Sequence, residues 1–267
     1  MRESSEQTNS FVLNILQHES IIAPHFDKAL YDNCIESTIL ENYKQDFDLA
    51  HIPALERRRL NNAAKCAFTL LPRFQHIQKP LIVFHSPTGE INRCFAMLHS
   101  LAKENLVSPT TFSLSVLNAT PALVAIATQN YNEITAISSN CLEYALLNAY
   151  ITLCDYQSNH SFPNQEALIL SYYEKLNTTL PNTDATSQHT SESYFMTILH
   201  IALANHPNSM LNCTISYEQS KQCHKLFPEM LSELSFLIAL HNSKHSALPM
   251  AYQIDDGNLL WNHELIH

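Results

Sequence analysis

Residues 134–150 read ITAISSNCLEYALLNAY. With Glu133 in front, EITAIS reads as a strand, and a helix is predicted from Asn140 to about Cys154. The chain thus passes from strand to helix at Cys141. An earlier unit repeats the pattern. Pro80 precedes LIVFH (81–85), a continuous apolar run of the kind that forms strands buried on both faces. Gly89 then turns the chain into INRCFAMLHSLAKEN, apolar at 91, 94, 95, 98 and 101, which is helical spacing. Between the two units lie LVSPTTFSLSVLNA (106–119) and PALVAIAT (121–128). Strand–helix–strand alternation of this kind predicts an α/β fold with at least a partly parallel sheet.

Outward from there the signals weaken. Residues 1–50 hold a short apolar run (11–16), then polar, helical-looking sequence. Pro53 opens a predicted helix, PALERRRLNNAAKCAFTLL, since a proline's missing N–H costs nothing in a first turn. Arg57, Arg58 and Arg59 on it are a solvated face or a basic site. EALILSYYE (166–174) reads as a strand and its exit. The Ser/Thr/Asn-rich stretch 177–193 reads as a linker. SYFMTILHIALA (193–204) is predicted helical, MLNCTISYEQ (210–219) a strand, FPEMLSELSFLIALHN (227–242) a helix, and 258–266 a closing strand. No internal repeat at solenoid spacing is evident.

Composition narrows the function. Average glycine usage of about 7% would give roughly 19 in this length, yet there are two, Gly89 and Gly257. So few glycines cannot supply the phosphate-cradling loops of nucleotide-binding enzymes. The net charge of −10 disfavours nucleic acid, where affinity comes from Lys and Arg on phosphates. It disfavours an acidic carrier protein too, unless another subunit supplies the basic patch. Seven scattered cysteines (Cys34, Cys66, Cys94, Cys141, Cys154, Cys213, Cys223) without C-x-x-C argue against a disulfide framework or zinc ribbon. No apolar run reaches the ~18 residues of a membrane span, and the polar start MRESSEQTNS is unlike a signal peptide. A cytoplasmic protein without cofactor or metal is expected.

Four blocks, PALERRRLNNAAK, LIVFHSPTGEINRCFAMLHSL, LVSPTTFSLSVLNA and TAISSNCLEYALLNA, together carry a family likeness. The chain resembles the ketosynthase-like chain-length factors of aryl polyene pathways. The likeness is densest over 53–150, is most specific in FSLSVLNA, and beyond about 155 thins to a strand–helix pattern and Trp261. It implies a truncated thiolase-like fold of layered sheet and helices in one domain, 1–267. Within that domain, 1–155 would be the ketosynthase-like half, 156–192 a partly mobile connection and 193–267 a reduced second half. The implied partner is a catalytic ketosynthase, in a heterodimer or higher assembly, with acyl carrier protein reached through it. The segment holding Thr111, Phe112, Leu114, Ser115, Val116 and Asn118 would cross the dimer interface and gate the partner's acyl tunnel. From the residues alone, Phe112, Leu114, Val116 and Leu117 read as plain core rather than a gate, and only the resemblance brings the gate reading level with it.

A decarboxylating ketosynthase needs a cysteine at a helix N-terminus, where the dipole favours the thiolate. It also needs histidines and backbone donors for the enolate and oxyanion. Cys141 in SSNC stands where the resemblance puts the nucleophile. The His-Gly-Thr-x-Thr and Asn-x-Phe-Gly-Gly loops are missing, so no catalytic residue is expected and Cys141 is vestigial. An active ketosynthase using Cys141 with other histidines is one alternative, and a homodimeric thiolase-like scaffold without an acyl role is the other. Glu143 follows Cys141 by two residues, and such pairs point apart on a helix.

Remaining constellations carry less. His263-Glu264-Leu265-Ile266-His267 matches H-E-x-x-H, which as a zinc site requires both histidines on one face of a stable helix. His241 and His245 have i,i+4 spacing at an expected frayed helix end. A nucleophile elbow G-x-S-x-G does not occur in the sequence.

Overall fold

The computed structural model describes residues 9–26, 37–159, 165–176, 193–220, 232–243 and 249–266. Eight strands form one sheet: β1 (Asn9–Ile22), β2 (Leu81–His85), β3 (Ile134–Ile137), β4 (Glu166–Glu174), β5 (Tyr194–Leu203), β6 (Leu211–Gln219), β7 (Met250–Asp255) and β8 (Leu259–Ile266). Their order is β3-β2-β4-β5-β1-β6-β8-β7. β2 runs parallel to β3 and β4, and the other neighbours are antiparallel. Among the described residues the α-helices are α1 (Ser37–Leu40), α2 (Ala54–Arg57), α3 (Asn62–Leu70), α4 (Ile91–Glu104), α5 (Pro109–Ser113), α6 (Ala119–Ala127), α7 (Glu143–Asn159) and α8 (Ser232–Ser243). The α/β fold with a partly parallel sheet is as the sequence predicts.

Both sheet faces are covered, which is why β2 shows no alternation. Ile82 and Phe84 face a core with α3 and α6, while Leu81 and Val83 face a second core with α7. The same double burial overturns two expectations. Residues 194–203 are strand β5, not a helix, and lie between β4 and β1 with nearly every residue buried. A run apolar on both sides of a central strand has no period to separate it from a buried helix. The N-terminal run is a 14-residue central strand, not a short one followed by helix. Its polar residues misled because they are buried against partners: Ser20 Oγ lies 3.0 Å from Thr197 Oγ1.

The helix expected from Pro53 is broken in two. Asn61 caps α3, its Oδ1 accepting from the Ala64 N–H at 2.7 Å, and Arg57, Arg58 and Arg59 are exposed. Residues 259–266 form strand β8, which puts His263 inside and Glu264 outside, so the zinc reading of H-E-x-x-H fails; His267 lies outside the described residues. His241 sits in the last turn of α8, its Nδ1 3.3 Å from the Tyr43 hydroxyl. His245, Cys34, Cys223 and most of the expected 156–192 connection are outside the described residues. Among the described residues no group of three or more His, Cys, Asp or Glu is placed to hold a metal. No helix there is long and apolar enough to cross a membrane.

Candidate functional site

The parallel strand β3 delivers the chain to the 138–142 turn at the C-terminal edge of the sheet. That turn is clamped from below. Ser139 Oγ donates to the Cys141 carbonyl at 2.8 Å and lies 2.9 Å from His85 Nε2. His85, the residue that closes β2, is itself fully buried between Ser171 Oγ (2.9 Å) and Glu233 Oε1 (3.3 Å). Burial pushes its imidazole down to about 4, only partly offset by Ser139 and the charge of Glu143.

Cys141 falls just ahead of α7, at the helix N-terminus that the sequence predicts for it. There the likeness to a working nucleophile ends. Cys141 is 1% exposed. Its Sγ donates to Glu143 Oε2, contrary to the expectation that the two side chains diverge. The spacing rule holds between helical residues, and Cys141 precedes the helix, so its side chain is free to turn back. His263 Nε2 of β8 lies 2.9 Å from the other carboxylate oxygen, with both side chains wholly buried. The His263 ring stacks on Tyr252, with centroids 4.3 Å apart and planes 9° apart, and Phe236 meets it edge-on.

The electrostatics oppose a thiolate. Burial raises the thiol first, and the charge and hydrogen bond of Glu143 raise it further, well above the usual thiol range. Burial pushes the Glu143 carboxyl up, but the neighbouring His263 imidazole, then the Cys141 hydrogen bond, outweigh it and hold the group below its usual range. Among the described residues no histidine hydrogen-bonds the Cys141 sulfur.

The 106–119 segment stands elsewhere. Ser108 caps α5, its Oγ accepting from the Thr111 N–H at 3.4 Å. Phe112 is 57% exposed, Val116 and Asn118 are exposed, and Thr111 and Leu114 are half-buried. Ser115 is buried, its Oγ donating to the Phe112 carbonyl at 2.8 Å while its own carbonyl accepts from Cys94 Sγ at 3.3 Å. Leu117 packs on the core. It lies against Gly89, whose φ of +57° suits a residue without a side chain. No residue of α4 or α5 is buried. The amphipathic face read from 91, 94, 95, 98 and 101 therefore leaves Phe95, Leu98 and Leu101 uncovered, beside Leu106, Val107, Phe112 and Val116. At the sheet margin β3 pairs on one side alone among the described residues, flanked by exposed Ile126, Tyr131, Ile134 and Ile151.

The sequence reading missed the Glu143–His263 and His85–Glu233 pairs. One signal was present: in 261–265 the alternation Trp, His, Leu puts an imidazole on the inward face of a strand.

A mixed sheet with helices on both faces, and a strand-to-helix turn bearing a cysteine, define a ketosynthase-like, thiolase-type fold. The chain belongs to the beta-ketoacyl synthase, N-terminal domain family, whose sequence model matches residues 34–250. Solved structures that share the fold include two ketosynthase complexes. One is the ketosynthase ApeO in complex with its chain length factor ApeC from Xenorhabdus doucetiae, at TM-score 0.63 and 20% identity. The alignment covers 95% of this chain and 99% of the matched one. The other is the AntDE:AntF complex, a type II polyketide synthase acyl-carrier protein with its ketosynthase bound to the hexaketide, at TM-score 0.62 and 10% identity. Coverage there is 96% of this chain and 99% of the other. No curated protein matches the sequence.

Proposed function

We propose that the chain is a non-catalytic chain-length-factor subunit that pairs with a catalytic ketosynthase and bounds its acyl tunnel during aryl polyene elongation. The observation that carries this is the α4–α5 hairpin. A 14-residue amphipathic helix with no buried residue has an apolar face that folding alone does not cover. Contiguous exposed apolar surface of this kind marks an interaction site. A protein partner that buries it accounts for Phe95, Leu98, Leu101 and Phe112 together. The free margin of β3 adds a place for strand pairing across the same assembly.

The non-catalytic part is supported by the Cys141 environment, which sets a carboxylate rather than an imidazole against the sulfur and excludes solvent. The net charge of −10 favours carrier-protein contact through the partner. The interface and gate are Thr111, Phe112, Leu114, Ser115, Val116 and Asn118, with Phe112 and Val116 projecting and Ser115 as internal support. The chain acts as one domain, 1–155 the ketosynthase-like half and 193–267 the reduced half. The homodimeric scaffold is the second reading, since a second copy covers the same surfaces.

Co-expression with a cognate ketosynthase, followed by size-exclusion chromatography with light scattering, tests the pairing. A 1:1 complex is expected, and aggregation or a loose homodimer for the chain alone. A soluble, stable monomer that ignores the ketosynthase overturns the proposal.

A further inference from the structure

We propose that Glu143 is a silencing residue: its carboxylate, held between the Cys141 thiol and His263, keeps the nucleophile position of this subunit from presenting a thiolate. The inference deepens the non-catalytic reading and rests on it. In a cysteine-nucleophile enzyme the group against the sulfur is an imidazole, which takes the proton and leaves a thiolate beside a cation. Here the order is reversed, and it runs sulfur, carboxylate, imidazole. Losing the thiol proton would set two negative charges side by side in a buried site, which disfavours ionisation strongly.

The surroundings fix that order. His263 sits beyond the carboxylate, pinned by the Tyr252 stack and Phe236. The other ionisable groups near the pair are Tyr144 of α7, Cys213 of β6, Tyr252 of β7 and Asp256 of the following turn, with His85 reaching the site through Ser139. None is a cation against the sulfur. The start of α7 contributes about half a positive charge, too little to offset a full carboxylate at hydrogen-bonding distance.

Glu143→Gln isolates the charge. The carboxamide keeps the shape, its oxygen still accepts from S–H, and its N–H₂ donates to His263 Nε2 in the Nδ1-protonated tautomer. Two readouts apply to the folded chain. The first is alkylation by iodoacetamide, in which the sulfur displaces iodide, a C–S bond replaces the C–I bond, and the thiol proton passes to solvent. Peptide mapping reports Cys141 alone. Burial is common to both proteins, so the rate ratio follows ionisation. Glu143→Gln is expected to react about tenfold faster or more, since each unit of thiol pKa is a factor of ten. The second is the infrared S–H stretch, assigned by subtracting Cys141→Ala. In the unsubstituted protein it persists to about pH 10, above the ordinary thiol pKa of ~8.5, and it moves to higher frequency in Glu143→Gln.

Rapid alkylation of unsubstituted Cys141 overturns the non-catalytic reading. A silent Cys141 whose rate and S–H band are unchanged by Glu143→Gln overturns the silencing role alone. If Glu143→Gln fails to fold, loss of the band below about pH 10 in the unsubstituted protein overturns it too.

Discussion

His263 Nε2 lies 2.9 Å from Glu143 Oε1, with neither side chain exposed. The contact joins β8 to the helix that follows Cys141, 120 residues earlier. A buried pair of this kind is costly to break from one side, because the remaining charge has no compensation.

His263→Phe preserves packing on Tyr252 and removes the nitrogen. It should destabilise the fold by about 3–5 kcal/mol, read as a shift in urea midpoint at unchanged slope. Glu143→Gln with His263→Phe should recover much of that loss, a coupling a double-mutant cycle measures. Additive effects would mean that the pair is not an energetic unit.

As pH falls, His85 and Glu143 should lose their contributions to stability in turn. His85 has a folded pKa near 4, depressed from an unfolded value of ~6.5. Its contribution is therefore complete above about pH 6.5 and is lost as pH falls toward 4. Glu143 is also depressed, so its contribution is complete above the unfolded value of ~4.3 and is lost below it. Glu90, raised to about 8 chiefly by burial, works in the opposite sense over this range, so the test is a difference: the gap in urea midpoint between the unsubstituted protein and His85→Gln should narrow as pH falls from about 6.5 toward 4.

Leu98 is 57% exposed on α4. Leu98→Glu should leave the stability of the chain within about 0.5 kcal/mol, as surface changes do, while abolishing co-purification with the ketosynthase. Unimpaired pairing would remove the α4–α5 face from the interface.

Phe112 and Ser115 should behave differently although they are three residues apart. Phe112 projects, so Phe112→Ala should lengthen the products of the reconstituted complex with little effect on folding. Ser115 is enclosed and bonded to the Phe112 carbonyl. Ser115→Trp should therefore overpack the hairpin and destabilise it by about 1–3 kcal/mol, visible as a lowered melting temperature before any change in product length.

What the sequence disclosed follows from where period and burial agree. β2, β3 and α7 were legible because short apolar strands precede helices at Gly89 and Cys141. β5 was not, since double burial erases the period-two signal. β1 was not, because Ser20 is buried with a cross-strand partner and reads as surface. Cys141 was found by likeness to a motif, but Glu143 and His263 lie 120 positions apart and meet only because the fold brings β8 to the N-terminal end of α7. Glu143 was dismissed by a helical rule that stops applying one residue before the helix begins.

The central claim is that this chain pairs with an enzyme without doing the chemistry itself. Intact-mass spectrometry of the ketosynthase complex during elongation tests it most directly, run in parallel with product formation by Cys141→Ala. Acyl adducts are expected on the partner's cysteine alone, and Cys141→Ala should elongate at close to the unsubstituted rate. An acyl adduct on Cys141, or loss of elongation in Cys141→Ala with the complex intact, would contradict the account.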